Sequence, residues 1–360
     1  MSKYEISLER SYFTQISKMV LKSEEMSAEL FSYDTGVEAI RLRNQRGEVV
    51  VLPYLGQMIW SSTMDQVPLQ MGSHIQKPRM TSDLLATYGC LMYHSGILRN
   101  GNPGPGDTHA LHGEMPCATM DKAGLAVGED AKGPWLAVTG KCEYVRAFGD
   151  HYLASPSVKI RPASGMFEVT MRVQNLSAEP MDLMYMCHAN FAFPPNAQVI
   201  QPNRFSSGET AIRQSIPAIV TSDEAYVRRI AEMAQDPSPA QWLNDATQYD
   251  PELVFYLKGL KAGSDGLTRS MLKRTQKDAF CVRHDPRSFG HAIRWMLSNS
   301  KVQVCGLSMP ATCEVEGYTM EKKKGHVKTL PSGESTCFSV ELGYLSEAEA
   351  QEEERLIQLL

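Results

Sequence analysis

The sequence lacks the features that mark membrane and secreted proteins. Nowhere among its 360 residues do about eighteen apolar residues run together, the length that a membrane-spanning helix needs. The first residues, 1–6, contain no apolar run of the kind that a signal peptide requires. We therefore expect a cytoplasmic protein with no membrane partner.

Neither sign of charge is in large excess. The chain has 36 Lys and Arg residues against 41 Asp and Glu residues, a formal net charge of -5 at pH 7. A chain with this balance has no broad attraction for phosphate backbones or anionic lipid. A nucleic-acid partner is therefore not expected.

Paired cysteines are also missing. The eight cysteines form no CxxC motif, and several stand inside apolar, strand-like runs. This pattern is typical of reduced, buried thiols and not of a disulfide framework.

Short extended patterns dominate the sequence. Most are rich in Val, Ile, Phe, Tyr or Thr, and turn-forming residues bound them. The runs are 38–42, 49–52, 135–138, 166–173, 181–186, 301–307 and 337–342. Many short strands separated by turns favour an antiparallel sandwich over an alternating β/α fold. A chain of this length could hold two average domains, but a large β domain can also absorb it, so length alone does not settle the number of domains.

Helical patterns are confined to two places. The Ala, Ile and Met spacing of 225–235 predicts one amphipathic helix. It lies in a polar stretch, about 206–250, which we interpret as an insertion of helix and loop. Ser346 and Glu349 form a capping-box pattern, which predicts a C-terminal helix over 346–360.

Two histidines stand on short apolar runs, each with a polar residue two positions later. His112 is followed by Glu114, and His188 is followed by Asn190. Because side chains alternate faces along a strand, each histidine is expected to share a face with its partner. We predict that both pairs line one cavity.

These motifs carry a resemblance to a known family. Residues 111–113, Leu-His-Gly, and 188–191, His-Ala-Asn-Phe, resemble the two histidine motifs of the galactose mutarotase (aldose 1-epimerase) superfamily. Residues 306–312 and 330–335 are similar to the last strands of an uncharacterised aldose-1-epimerase-like branch. The resemblance spans roughly residues 40–345. It implies an all-β fold, a large antiparallel β-supersandwich with a few peripheral helices, and a single mutarotase-like domain over residues 1–360.

The resemblance also implies a chemistry. In the mutarotases a glutamate takes the proton of the anomeric hydroxyl and a histidine protonates the ring oxygen, with no metal or organic cofactor. By position, His188 would be the general acid, and His112 would bond to the sugar near C1 and the ring oxygen. Histidine suits this work because its ordinary pKa lies near 6.5. The implied function is the interconversion of anomers or epimers of a free or modified sugar.

One position departs from the superfamily. Where the base glutamate is expected, just before a proline, the chain has Ser308 and Met309, and neither carries a carboxylate. Three interpretations are open. Another carboxylate is the base, the alignment with the superfamily is displaced at this point, or the protein binds or senses sugar without converting it. The candidate replacements are Glu314, Glu316 and Glu114.

Other residues are candidates for holding the sugar. The planar fork of a guanidinium suits hydroxyl groups, which suggests Arg99. Asn190 and His94 are further candidates, and Trp295 with Trp60 would supply a stacking surface. Each also has an ordinary interpretation, as a loop cation, a backbone partner or a packed core residue.

A metal-dependent sugar isomerase is a third possibility. His109, His112, Glu114 and His188 offer nitrogen and oxygen ligands that such enzymes use. A regular strand would point His109 away from His112, so this alternative requires a loop at His109. The basic run 321–325 is interpreted as a solvated turn, with attraction of an anionic sugar as the alternative. Monomer and homodimer both remain open.

Overall fold

A computed structural model describes residues 3–360, and strands are its commonest secondary structure. Their bounds, in chain order, are β1 (Lys3–Leu8), β2 (Lys18–Lys22), β3 (Ser27–Ser32), β4 (Glu38–Arg43), β5 (Gly47–Leu52), β6 (Met58–Met64), β7 (Val67–Pro68), β8 (Gly72–Ser73), β9 (Met92–Ile97), β10 (Lys122–Asp130), β11 (Gly133–Val145), β12 (His151–Ile160), β13 (Met166–Asn175), β14 (Met181–Ala189), β15 (Gln198–Ile200), β16 (Thr210–Ile212), β17 (Leu253–Leu257), β18 (Thr268–Lys273), β19 (Ala279–His284), β20 (His291–Ser298), β21 (Val302–Ala311), β22 (Lys328–Leu330) and β23 (Ser335–Leu345).

The strands form two antiparallel sheets. The smaller sheet has nine strands in the order β1-β10-β11-β12-β13-β23-β19-β18-β15. The larger has fourteen, with the main order β16-β17-β20-β21-β14-β9-β6-β5-β4-β3-β2 and with β22, β7 and β8 paired to β14, β6 and β21. This architecture confirms the predicted all-β antiparallel supersandwich.

The main core lies between the sheets. Along β12, buried residues alternate with half-buried ones, as expected for a strand with one face on the core. In contrast, β14 is buried along nearly its whole length. One face of β14 packs in the main core, and on the opposite face Met186 packs in a second apolar cluster, so its sequence is almost continuously apolar.

Three α-helices lie outside the sheets: α1 (Glu224–Gln235), α2 (Tyr318–Lys324) and α3 (Glu347–Gln358). Asp223 caps α1 through its side chain, and Ser346 and Glu349 form the capping box of α3. The interpretation of 321–325 as a turn is wrong for its first four residues, which belong to α2. Gly325 ends that helix in a left-handed conformation, with φ of 75°.

Several strands run further than their sequence patterns indicated. The pattern at 135–138 marks only the middle of the thirteen-residue β11, and β21 continues beyond 307 to Ala311. Cross-strand pairing extends these strands through residues of low strand propensity.

No helix within residues 3–360 combines the length and apolarity that a membrane crossing requires. All eight cysteines are free thiols, six of them buried.

Candidate active site

A cavity of about 570 Å³ opens on the outer face of the larger sheet. On β14, Tyr185 and Cys187 belong to the main core between the sheets, whereas Met186 and His188 line the cavity. Because side chains alternate along a strand, the cavity lies on the face turned away from the smaller sheet.

His188, near the end of β14, is held on two sides. Its Nδ1 lies 2.9 Å from Oδ1 of Asn190, and its ring stacks on Tyr93 with the centroids 4.4 Å apart. The Asn190 amide nitrogen donates to the carbonyl oxygen of Cys90, so Oδ1 faces the imidazole and accepts from Nδ1–H. No residue in 3–360 bonds to Nε2. His188 therefore presents Nε2 to a ligand.

His112 stands in a turn, so the prediction that it lies on a strand is wrong. Its φ is 61° and that of Gly113 is 83°, and neither value is compatible with a strand. The turn is fixed because the His112 N–H donates to the Gly101 carbonyl and its own carbonyl accepts from the Gly96 N–H. A Cβ at position 113 would lie 2.0 Å from the Arg99 carbonyl oxygen, which explains the glycine.

The same turn removes Glu114 from the cavity. Its Oε1 accepts from the N–H groups of Ile97 and Leu98 and from the Tyr152 hydroxyl, at 2.8 to 2.9 Å. Burial raises the pKa of Glu114, and the hydrogen bonds it accepts oppose that shift. Glu114 does not share a face with His112, and it holds the end of β9.

The two imidazoles meet at one end of the cavity. The His112 and His188 rings lie edge to face, with centroids 4.8 Å apart. Ser95 Oγ donates to Asn100 Oδ1 at 2.5 Å, which leaves its oxygen to accept from Nδ1–H of His112 at 3.2 Å. Both rings therefore carry their proton on Nδ1.

Burial keeps both rings neutral. It lowers the pKa of His112 to about 3, with smaller contributions from His109 and Arg213. Burial, followed by the neighbouring His112, also lowers the pKa of His188 well below its ordinary value. At neutral pH each Nε2 is a hydrogen-bond acceptor.

Two carboxylates line the cavity, Asp250 and Glu252, and the sequence analysis missed both. Asp250 accepts from the Asn299 amide at 3.3 Å. Glu252 is the one that contacts Trp295. It stands just before β17, where Oε2 accepts from the Trp295 indole N–H at 2.6 Å and Oε1 accepts from Arg213 Nη2 at 3.1 Å. The Trp295 ring lies 5.7 Å from that of His188. The available signal was an acidic residue directly ahead of the apolar run 253–257, and nothing local connected that run to the histidines.

Met309 lies on β21 and lines the cavity. It is 1% exposed and packs with Met186, Val254, Ile293 and other apolar residues. The position where the superfamily's base is expected therefore belongs to an apolar floor.

The two downstream glutamates do not line the cavity. Glu314 is buried and pairs with Lys324 at 2.6 Å. Glu316 accepts from the Tyr256 hydroxyl at 2.6 Å and from the Ser215 hydroxyl. The structure brings neither of them to the histidines.

Two of the predicted sugar-binding residues also lie elsewhere. The Arg99 guanidinium lies 3.7 Å over the Tyr318 ring, outside the cavity. His94 precedes the outward-facing Ser95 on β9, so it faces the core, where it bonds to the Tyr185 hydroxyl at 2.8 Å. Trp295 and Asn190 remain at the site, Asn190 through its bond to His188, whereas Trp60 is buried in a separate apolar cluster.

The four candidate metal ligands do not converge. His109 does lie in a loop, but its Nδ1 donates to the Ala110 carbonyl at 2.8 Å, and Glu114 bonds to backbone N–H groups. Within residues 3–360, the group with metal-ligand spacing is Glu314, Glu321 and His326. Lys324 already pairs with both of these glutamates.

The lysines of 321–325 do not line the cavity.

Sequence comparison finds one family. Residues 34–344 match the model of a domain of unknown function (DUF4432). No protein of curated function matches the chain.

Solved structures share the fold over nearly the whole chain. A Klebsiella pneumoniae protein that bears the provisional name aldose 1-epimerase has a TM-score of 0.82 and 16% identity, over 99% of this chain and 96% of that one. A galactose mutarotase-like protein from Clostridium acetobutylicum gives a TM-score of 0.58 and 12% identity, over 89% and 99%. A galactose 1-epimerase from Lactobacillus acidophilus gives 0.51 and 11%, over 95% and 98%. At these identities the similarity confirms a galactose mutarotase-like fold.

Proposed function

The chain belongs to the family of the domain of unknown function DUF4432, and from its fold and its cavity we propose that it interconverts the anomers of a free or modified sugar. The observation that carries the proposal is the pair of neutral imidazoles, His112 and His188, whose centroids are 4.8 Å apart at one end of the cavity. Each ring has a hydrogen-bond partner at Nδ1, and no residue of 3–360 bonds to its Nε2.

The surroundings of the two rings suit a carbohydrate. Trp295 and Tyr88 supply aromatic surface beside His188, at centroid distances of 5.7 and 6.2 Å. Glu252 and Arg213 supply an acceptor and a donor for hydroxyl groups. An apolar wall with a few polar groups is the usual composition of a small-molecule site.

Anomer exchange requires the net movement of one proton from O1 to the ring oxygen. His188 Nε2 accepts the proton of the anomeric hydroxyl as C1=O1 forms and the C1–O5 bond breaks. The imidazolium then returns that proton to O5, which is within reach because O1 and O5 are both bonded to C1. Rotation about C1–C2 and the reverse steps close the ring on the other face of the carbonyl.

The order of these steps follows from the protonation states. The family resemblance implies His188 as the acid, yet its lowered pKa makes it an acceptor before any sugar binds. Asn190 accepts from Nδ1–H and so stabilises the imidazolium that forms. His112 accepts from a second sugar hydroxyl and orients the ring. Glu252 positions hydroxyl groups and takes no part in the proton transfer.

Magnetisation-exchange NMR between anomers, with a panel of reducing sugars, tests this proposal. We expect saturable acceleration by the wild type, and a loss of about 10²- to 10⁴-fold in His188→Asn. His151→Asn is the matched control. His151 lies on β12, outside the cavity, and bonds to Glu143. Acceleration that survives in the double variant His112→Asn, His188→Asn would refute the assignment.

A sugar-binding protein without catalysis is the second candidate. Met309 favours it, because the floor of the cavity has a thioether where the superfamily's base is expected. In the same NMR experiment such a protein would shift sugar resonances and leave the exchange rate at its buffer value.

A further inference from the structure

Arg294 is a buried cation without a counter-ion. It lies on β20 with no exposed surface. Its Nε donates to the Leu307 carbonyl oxygen at 2.9 Å and its Nη2 donates to Gln201 Oε1 at 2.5 Å, both uncharged acceptors. Nη1 is buried and has no hydrogen-bond partner in the structure. No carboxylate of residues 3–360 forms an ion pair with it.

This situation is exceptional within the molecule. In the part of the chain that the structure describes, six other Arg, Asp and Glu side chains are buried, and each of them is in an ion pair: Arg213, Arg269, Asp278, Glu314, Glu321 and Glu353. Charged side chains are almost never fully buried unless they are paired. Arg294 therefore calls for a compensating negative charge.

A second unpartnered polar group lies nearby. Tyr249 is fully buried, its hydroxyl has no hydrogen-bond partner among residues 3–360, and it interacts electrostatically with Arg294. Burial raises the pKa of Tyr249 far above neutrality and that of the neighbouring Cys305 to about 12. Neither group supplies a negative charge at neutral pH, and the Tyr249 hydroxyl is a second donor that needs an acceptor.

We propose that Arg294 and Tyr249 bind a monatomic inorganic anion, chloride under ordinary conditions. One such ion accepts from Nη1–H and from the phenolic O–H and also neutralises the guanidinium. A water molecule would accept from both donors but would leave the charge uncompensated. The Phe205 ring, 5.9 Å from the guanidinium carbon, adds an apolar wall that favours a small ion over sulfate.

The site adjoins the cavity that His112 and His188 line. Ile293 and Trp295, on either side of Arg294, both line that cavity. The pairing of β20 with β21 shifts register between these two residues. A bound anion would hold this irregular segment, which carries the indole that donates to Glu252.

Thermal unfolding in sodium chloride and in sodium gluconate, at equal ionic strength, tests the proposal. We expect the wild-type Tm to be a few degrees higher in chloride, with a saturable dependence on its concentration. Arg294→Met should abolish the difference, because the donor and the charge are both removed. Tyr249→Phe should raise the chloride concentration that gives half of the effect. Equal Tm values in the two salts would overturn the proposal.

Arg269→Met is the matched control. Arg269 is also buried, but Asp265 and Glu353 pair with it, so this variant should lose stability and keep the chloride dependence. A bromide soak of wild-type crystals tests the site without any variant, so its result does not depend on whether a variant folds. Anomalous density beside Arg294 Nη1 and Tyr249 Oη is expected, and a site that holds only water would overturn the proposal even if Arg294→Met does not fold.

Discussion

The rings of His112 and His188 lie edge to face with an interplanar angle of 83°, although one residue stands in a glycine-containing turn and the other on a central strand. Tyr93 pairs with His188 across β9 and β14, and its ring also contacts His112, with centroids 5.6 Å apart. The hydrogen-bonded ladder thus fixes His188 against Tyr93, whose ring contacts both imidazoles.

The first prediction concerns the dependence of anomer exchange on pH. Because His188 begins as an acceptor, the catalysed rate should be constant from about pH 8 to about pH 5 and fall at lower pH, where Nε2 becomes protonated. A histidine that begins as the acid would instead lose activity as pH rises through about 6.5. Magnetisation exchange at each pH, after subtraction of the rate with His188→Asn, separates the two orders. Circular dichroism at each pH verifies that the protein is folded.

The second prediction concerns the two carboxylates, Glu252 and Glu114. Glu252→Gln turns an amide N–H₂ toward Arg213 or Trp295, which are themselves donors, so KM should rise about 10- to 100-fold with a small change in kcat. Glu114→Gln keeps an acceptor for the Ile97 and Leu98 N–H groups and should change neither constant. A loss of kcat in Glu252→Gln equal to that in His188→Asn would show instead that Glu252 transfers the proton.

The fold and one side of the site could be predicted from sequence. His188 stands in a strand pattern two residues before Asn190, and in the structure these two side chains bond at 2.9 Å. The strand prediction failed at His112, because positive φ at a non-glycine residue leaves no trace in an apolar pattern. The direction of Glu114 was misjudged for the same reason.

Glu252 could not be found from local pattern. It reaches the histidines only because β17 pairs with β20, which places Val254 opposite Trp295. That pairing joins residues about forty positions apart, across an intervening hairpin of β18 and β19 in the other sheet. The carboxylates that lie nearest to Met309 in sequence, Glu314 and Glu316, do not reach the histidines. Glu314 pairs with Lys324, and Glu316 accepts from the Tyr256 hydroxyl. The roles of all these residues remain predictions.

The third prediction uses two glycines with similar backbones. Gly113→Ala would place a Cβ 2.0 Å from the Arg99 carbonyl oxygen at φ of 83°, so the turn that carries His112 must move. Gly106→Ala has a φ of 89° but meets nothing within 4 Å, so it should cost only about 1 kcal/mol of backbone strain. Urea unfolding should show the larger loss for Gly113→Ala, with a parallel loss of anomer exchange. Equal losses in the two variants would mean that the turn adapts.

The last prediction concerns stability in acid. Burial lowers the pKa of His94, His112 and His284 to about 3 each, against about 6.5 in the unfolded chain. The unfolded state therefore binds more protons between these values, so the stability due to each neutral ring is complete above pH 6.5 and is lost as pH falls. Each ring contributes a slope of about 1.4 kcal/mol per pH unit in this window.

His284→Leu isolates one of these contributions. Both ring nitrogens of His284 are buried without a partner, so leucine, which is similar in volume, should leave stability at pH 7 unchanged or raise it. Between pH 6.5 and pH 5 the variant should lose about 2 kcal/mol less than the wild type in urea unfolding. A His284→Leu slope equal to the wild type's would mean that the His284 ring gains a proton in the folded state, through contacts that the static structure does not contain.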